Sequence, residues 1–578
     1  MEVNSISRLK LYNKQKILIF MMTIIFLLVS IPKVNVFAED KEFDNGSNIK
    51  IEKLDNRETK NLYKLCKVWG FVKYYHPKIA SGEVNWDYEL FRELPKVLNA
   101  KNDKELNNNI YEWINKLGEV KISQNTNLSE ENVLLKADID WIKNNKDLGD
   151  QLSNLLVKIS RADRSYNWHN YVWFSQIGIA TFGHEQLYEN MSYSDDGYKL
   201  LSLFRCWNIV EYFYPYKNLV DKDWDKVLKK FIPKFIECKD QLSYKLTVLE
   251  LGKCIHDSHT YVEDMDGAIN NYFGRYYAPL KFDFVQGKLV VTSIIKGYED
   301  KMQIKPGDII SMVDNKDVFK LIKEKEKYIS FSNEKTKYFK LNRFLLRSNN
   351  EEMQIEIKRG DRTFIDKVKC IDDVQKIYEI QEKSHKFINN NIGYICPGAL
   401  EEDEIHDIMK KFKDTKGLIV DLRYYPSDFI VYSLGEYLLP KESTFCKYTK
   451  TGYKSPGTFK SVDFKVGKDN PDYYKGKVTI LLNGNSISQS EFTAMALRCA
   501  PNSVIIGSDS IGADGDVTSI FLPGGMSLSI SGGGVYYPDG GQTQRIGIKP
   551  DIKVKPTIRG IKEGRDELVE QAIKVINN

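Results

Sequence analysis

Histidine is scarce in this chain: seven residues among 578. Imidazole chemistry therefore has few places to reside, and His256 and His259 fall close together. Cysteine is nearly as sparse, with eight residues at scattered positions. None stands in Cys-x-x-Cys spacing, which argues against a zinc site. The thiols read as small buried hydrophobes; export would permit disulfides, but this spacing does not demand them. His-Glu-x-x-His is missing, so a zinc-peptidase helix is excluded. Gly-x-Ser-x-Gly is missing as well, because Ser488 stands where its second glycine would be. Gly524-Gly525 and Gly532 to Gly534 lack a following Lys-Ser/Thr and read as turns, not as a phosphate loop. A net charge of +5 is weak for this length, and acidic residues interleave the lysines. No basic stripe marks a nucleic-acid partner. Nothing calls for a metal or cofactor.

What is present begins with a basic segment, Arg8 to Lys16, followed by an apolar run from Ile17 to Ile31. Val36-Phe37-Ala38 fits a small-residue cleavage site before Glu39. The run is short for a bilayer span and Pro32 ends it, so residues 1–38 read as a cleaved signal peptide. The alternative is an uncleaved anchor, the one case that would give the protein a membrane partner. Either reading places the bulk of the chain outside the cytoplasm. No cysteine follows the run, which argues against lipid anchoring.

At this length two to four domains are expected. Residues 39–265 contain an internal repeat. Trp69-Gly-Phe-Val-Lys-Tyr74-Tyr-His-Pro77 recurs as Trp207-Asn-Ile-Val-Glu-Tyr212-Phe-Tyr-Pro215, an offset of 207 − 69 = 138. The same offset maps Trp86-Asp87 onto Trp224-Asp225. Each copy reads as a helical hairpin with its aromatics in a core; a groove lined by aromatics is the other reading. Between the copies, Asn132 to Ser160 has helical periodicity. Residues 277–372 change to short alternating strands around a Pro306-Gly307 turn. Residues 377–578 alternate strands and helices, which predicts an α/β domain. The fold class is thus multidomain α+β.

Chemistry gathers at two places. An apolar run from Val478 to Leu482 predicts a buried strand, and Phe492 to Cys499 predicts a helix. Between them lies Gly484-Asn485-Ser486-Ile487-Ser488-Gln489-Ser490-Glu491. A small-residue turn from strand to helix exposes a hydroxyl and leaves free N–H groups at the helix start. An acyl-transfer nucleophile needs both. Ser488 to Glu491 also fits a plain capping box. The second place is Asp257-Ser258-His259, where a predicted helix gives way to an extended segment. Neighbouring Asp and Ser side chains can set an imidazole tautomer; a capping Asp-Ser with incidental histidines is the bland reading.

Several further pieces carry a resemblance: Gly417-Leu-Ile-Val-Asp-Leu-Arg423, Asn485-Ser-Ile-Ser-Gln-Ser-Glu491, Gly507 to Gly515, and Arg545-Ile-Gly-Ile-Lys-Pro-Asp551. In this order, residues 250–578 resemble the tail-specific (C-terminal processing) protease family. Residues 277–372, with Ile304-Lys305-Pro306-Gly307-Asp308, resemble a PDZ domain. The resemblance implies Ser488 as nucleophile, with Ser486 the second candidate. Many members pair that serine with a lysine, but Ala513 holds its place here. The tricorn core branch takes an upstream histidine instead, which implies His259 as general base with Ser258 orienting it. It implies an oxyanion site on the N–H of Gln489 and on an N–H near Ser427, where Pro426-Ser427-Asp428 replaces Pro-Gly-Gly. Gln544 stands near a family glutamate and would bond Ser258. Glu491 is the other candidate for the fourth position, which stays open. The function implied is an exported serine endopeptidase acting on protein or peptide substrates. The rivals are a non-catalytic peptide or apolar-ligand binder of the same fold, as in the family's retinol-binding relatives, and an envelope scaffold using the aromatic repeats.

Overall fold

In the computed structural model, residues 40–124, 131–164, 169–220 and 223–578 are described. The signal-type segment, 1–38, lies outside them. The chain opens with α1 (Asn56–Tyr75) and α2 (Trp86–Asn99), then α3 (Asp196–Phe213), α4 (Trp224–Ile236) and α5 (Gln241–Lys253). Asp55 starts α1 by accepting the Glu58 N–H at 2.7 Å, while Glu58 accepts the Asp55 N–H at 2.8 Å, two otherwise orphaned donors satisfied reciprocally. His76 closes this helix ahead of Pro77, which cannot continue it. Between the helix pairs the structure departs from expectation. Val133–Leu135 is a short strand on Phe459–Val466, and a helix runs only over Asn145–Ser160.

The two tryptophan pairs close in the same way. Trp69 Nε1 donates to the Trp86 carbonyl at 3.0 Å and Trp86 Nε1 returns to Trp69 at 2.9 Å. Trp207 and Trp224 exchange the same bonds at 2.9 and 3.0 Å. All four rings are buried, as are Tyr74 and Tyr212. The aromatic stripe is core packing, the first of the two readings, and these rings line no open groove.

The next unit is an antiparallel sheet with two helices. β1 (Val262–Asp264) leads to β2 (Leu280–Val285), β3 (Lys288–Ile294), β4 (Ile309–Val313), α6 (Val318–Glu326), α7 (Lys337–Leu345), β5 (Glu352–Arg359) and β6 (Arg362–Lys369). Its strand path is β6-β5-β4-β3-β2. Gly307 in the tight turn has φ +88°, and a Cβ there would stand 2.8 Å from Lys562 Cβ, so glycine serves both the turn and the contact.

The C-terminal core sheet contains β7 (His385–Ile388), β8 (Ile392–Ile395), β9 (Gly417–Asp421), β10 (Lys477–Leu482), α8 (Gln489–Leu497), β11 (Ser503–Gly507) and, after the hairpin of β12 (Val517–Leu522) and β13 (Met526–Ser531), β14 (Ile552–Lys553). The order is β7-β8-β9-β10-β11-β14, parallel from β8 onward. β9, β10 and β11 carry apolar, buried centres (Leu418 to Val420, Ile480 to Leu482, Ile505 and Ile506) because both faces of the sheet are covered. Being parallel, they end at one edge and bring three loops together there. β1 belongs to neither large sheet; it pairs antiparallel with β13, Val262 opposite Leu528. That pairing carries the segment after His259 onto the C-terminal domain.

Candidate active site

Ser488 lies in the turn after β10, as the N-cap residue of α8, with φ 54° and ψ −119°. A non-glycine residue at positive φ is held against a local cost of order 1–3 kcal/mol, and such strain gathers at functional turns. The surrounding loops supply the restraint. The Ser488 N–H donates to the Ala513 carbonyl at 2.9 Å and to Glu491 Oε2 at 3.2 Å. Glu491 is fully buried and acts as a fastener. It accepts the Ser510 hydroxyl, the Gly512 N–H at 2.8 Å and the Ala513 N–H at 3.0 Å. Burial raises its carboxyl above the usual range while these donors pull it back. Glu491 therefore reaches neither His259 nor Ser258, which corrects its candidacy as fourth member of the catalytic set.

Ser488 and Glu491 form a capping box at the start of α8, and the Ser488 hydroxyl also has a partner outside the helix: it faces the Gly515 carbonyl at 3.4 Å. Ser486, the second candidate, is fully buried, and its hydroxyl donates to the Leu422 carbonyl at 2.9 Å while accepting the Asn483 N–H at 3.1 Å. It stitches two strand ends together and is closed to a substrate.

His259 lies in the same region by way of β13. Its Nδ1 meets the Ser531 hydroxyl at 2.8 Å. Ser531 pairs with Val517, two residues beyond Gly515. The ring is buried, and Nε2 has no hydrogen bond among the described residues. The direct Ser488–His259 bond is thus not formed in this arrangement. Burial holds the imidazole pKa below its ordinary value; Lys340 adds to that, while Asp257 and Asp516 oppose it. His259 is consequently neutral near pH 7, the form a base requires.

Orientation of the ring comes from residues other than those expected. Ser258 does not touch the imidazole. Its hydroxyl accepts the Ser332 N–H at 2.8 Å, and its own N–H donates to Ser332 Oγ at 2.9 Å. Gln544 bonds Asp257, not Ser258, through Nε2 to Oδ1 at 3.2 Å. Asp257 is the hub: it accepts the His259 N–H at 2.9 Å and the Ser531 N–H at 2.8 Å. Its Oδ1 lies 3.9 Å from His259 Nδ1. Ser531 escaped the sequence reading because it is 272 residues from His259 and belongs to no motif.

At the oxyanion position the expectation holds only in part. Gln489 opens α8 and its N–H faces the Tyr425 hydroxyl, which also lies against the Ser488 hydroxyl; burial nevertheless raises that phenol. Gln489 Nε2 fixes the neighbouring turn by donating to the Asp428 carbonyl at 2.5 Å. Ser427 does not present a free N–H. It donates that group to the Pro397 carbonyl at 3.0 Å, and its hydroxyl also turns to Pro397 and Leu400. Ser427 is therefore corrected from an oxyanion donor to a turn-stabilising residue. Asp514, one residue past Ala513, is fully buried, and burial beside Glu491 pushes its carboxyl well up. Among the described residues no cluster of His, Cys, Asp and Glu is arranged to hold a metal ion.

A strained serine lies between strand and helix with a helix-start N–H beside it, which are the parts a serine-type acyl-transfer site requires. Residues 391–554 match peptidase family S41. A carboxy-terminal-processing protease of Bartonella bacilliformis is 28% identical over 210 residues, 34% of this chain and 46% of the relative. A nisin-resistance protein of Lactococcus lactis subsp. lactis is 28% identical over 145 residues, 24% of this chain and 46% of the relative. The matches therefore span about half the length of these relatives. In fold, mature CPAF complexed with lactacystin is similar at a TM-score of 0.52 and 14% identity, over 66% of this chain and 99% of that one.

Proposed function

We propose that this protein is an exported serine endopeptidase that hydrolyses peptide bonds of protein substrates, with Ser488 as nucleophile and His259 as general base. The observation that carries the reading is Ser488 itself: a hydroxyl on a strained turn, facing the Gly515 carbonyl at 3.4 Å and next to the Gln489 N–H. In the forward step, Ser488 Oγ attacks the scissile carbonyl and its proton passes to His259 Nε2. The Gln489 N–H bonds the developing oxyanion. The imidazolium then returns the proton to the leaving amine, and water repeats the sequence on the acyl-enzyme. Hydrogen bonds of this kind often tighten only in the substrate complex, and an unpartnered Nε2 supports that role. Asp257 and Ser531 orient the ring.

The helical region would supply His259, and residues 277–372 would act as a PDZ-like domain that presents the substrate chain. The reading of residues 1–38 as a signal peptide supports export. Among the described residues no helix is long and apolar enough to cross a membrane.

One observation favours a second reading, a binding protein of the same fold: the Ser427 N–H is spent on Pro397, which leaves the oxyanion site a donor short. Incubation with an unfolded protein substrate, read by mass spectrometry, separates the two. Cleavage by the wild type that is lost in Ser488→Ala and in His259→Ala supports the peptidase. A folded wild type that cleaves nothing moves the assignment to the binding protein. Cleavage that survives Ser488→Ala removes Ser488 as nucleophile.

A further inference from the structure

A chamber of about 630 Å³ lies where the helical region, the α6–α7 unit and the β12–β13 hairpin meet. Neither Ser488 nor His259 lines it, although Thr260 and Tyr261, next in sequence, do. Its volume is that of a site for one small organic molecule. The walls are mostly apolar, with Leu249, Val262, Ile269, Phe273, Phe344 and Met526 prominent.

Set into these walls are four basic side chains: Lys253, Lys340, Arg343 and Arg347. Among the described residues none is paired with a carboxylate. Lys340 is buried, and its Nζ meets only carbonyls, Ser258 at 2.6 Å and Thr260 at 3.5 Å. Arg347 donates to the Gly274 carbonyl at 2.8 Å and to the carbonyl and side chain of Asn270. Arg343 and Lys253 face only aromatic rings, Phe339 and Tyr378 for the first and Phe331 for the second. Two acids line the chamber, Glu263 and Asp264, and Asp264 is committed to Lys245 at 3.0 Å. That leaves Glu263 as the uncommitted acid beside four basic side chains, an excess of positive charge that a ligand carboxylate would complement.

We infer that this chamber binds a free long-chain carboxylic acid, its acyl chain along the apolar walls and its carboxylate on the Arg343 and Lys340 side. A peptide is the poorer fit, because its amides would lose water against apolar walls without gaining partners. The inference goes beyond the peptidase reading and does not depend on it.

The test is calorimetric titration of the full chain carrying Ser488→Ala with dodecanoate, kept below its micelle concentration, and with dodecanol as the uncharged control. The expected result is saturable binding of one dodecanoate per chain, with dodecanol weaker by about tenfold or more, the range of a charge-assisted hydrogen bond. Arg343→Glu, at an exposed position, should weaken dodecanoate by about tenfold or more, and Ile269→Trp should block it by filling the chamber, both with circular dichroism unchanged. No saturable binding, equal binding of dodecanol, or indifference to Arg343→Glu would overturn the inference. So would an apolar peptide with a free C-terminal carboxylate that binds more tightly than dodecanoate and displaces it.

Discussion

At the scale of single residues, the site turns on which groups remain free. His259 is buried and neutral, with its pKa held below the ordinary value of about 6.5. A base works in its neutral form, so hydrolysis should rise with pH through an apparent pKa below that value and be level by neutral pH. A kcat/KM profile on a peptide substrate checks this; an acid limb centred above pH ~7 would show that His259 is not the titrating base. Lys340 and Asp516 face the ring from other elements, and Asp257 faces it from its own loop. Asp516→Asn should therefore move the limb to still lower pH by removing a charge that favours the imidazolium. Glu491 makes a separate case. Its two oxygens accept four donors that fasten Ser488 to the 510–513 loop. Glu491→Gln replaces an acceptor oxygen with an amide NH2 group facing other donors. It should cost about 1–3 kcal/mol of stability, read by urea denaturation, and lower kcat by relaxing the strained turn.

At the scale of elements, α7 reaches across to the segment that carries the base. Lys340 Nζ, on this helix, holds the carbonyls on either side of His259. Burial lowers its pKa to about 7. Lys340→Met should leave KM nearly unchanged and reduce kcat by about ten- to a hundredfold, the equivalent of one charge-assisted hydrogen bond. Lys340→Arg should recover part of the loss. A steady-state comparison of the three proteins decides it; a loss confined to KM would mean that Lys340 does not position the base. Neither α7 nor its partner loop announces this link, because Lys340 and Ser258 are 82 residues apart. The strand–turn–helix at Ser488 was legible for the opposite reason: its apolar strand, small-residue turn and helix are contiguous.

At the scale of the whole molecule, the helical region and the C-terminal domain are joined by a buried charge cluster. Arg205 pairs with Asp87 at 2.6 Å and Glu185 at 3.0 Å, and Lys73 pairs with Glu185 at 2.7 Å. Arg205 also donates to the Phe521 carbonyl on β12 at 2.8 Å, the partner strand of the one that holds His259 through Ser531. Arg205→Ala leaves buried carboxylates short of a partner and should destabilise the protein by about 3–5 kcal/mol, seen as a lower urea midpoint. Because β12 leads into β13, hydrolysis should fall as well, even at denaturant-free stability sufficient to keep the protein folded. A variant with wild-type stability would contradict the role of this cluster.

The sequence by itself determined what local patterning governs: the helical hairpins of the two tryptophan copies, the apolar parallel strands, and the turn that lifts Ser488. Periodicity and turn chemistry act over a few residues, so they can be read along the chain. Only the tertiary structure decided which groups are satisfied and which are left to react. Ser258 is taken by Ser332, the Ser427 N–H by Pro397, Gln544 by Asp257, and His259 is held by Ser531. Those outcomes rest on contacts between distant segments brought to one edge by the parallel strands and by the β1–β13 pairing, and no local spacing encodes them.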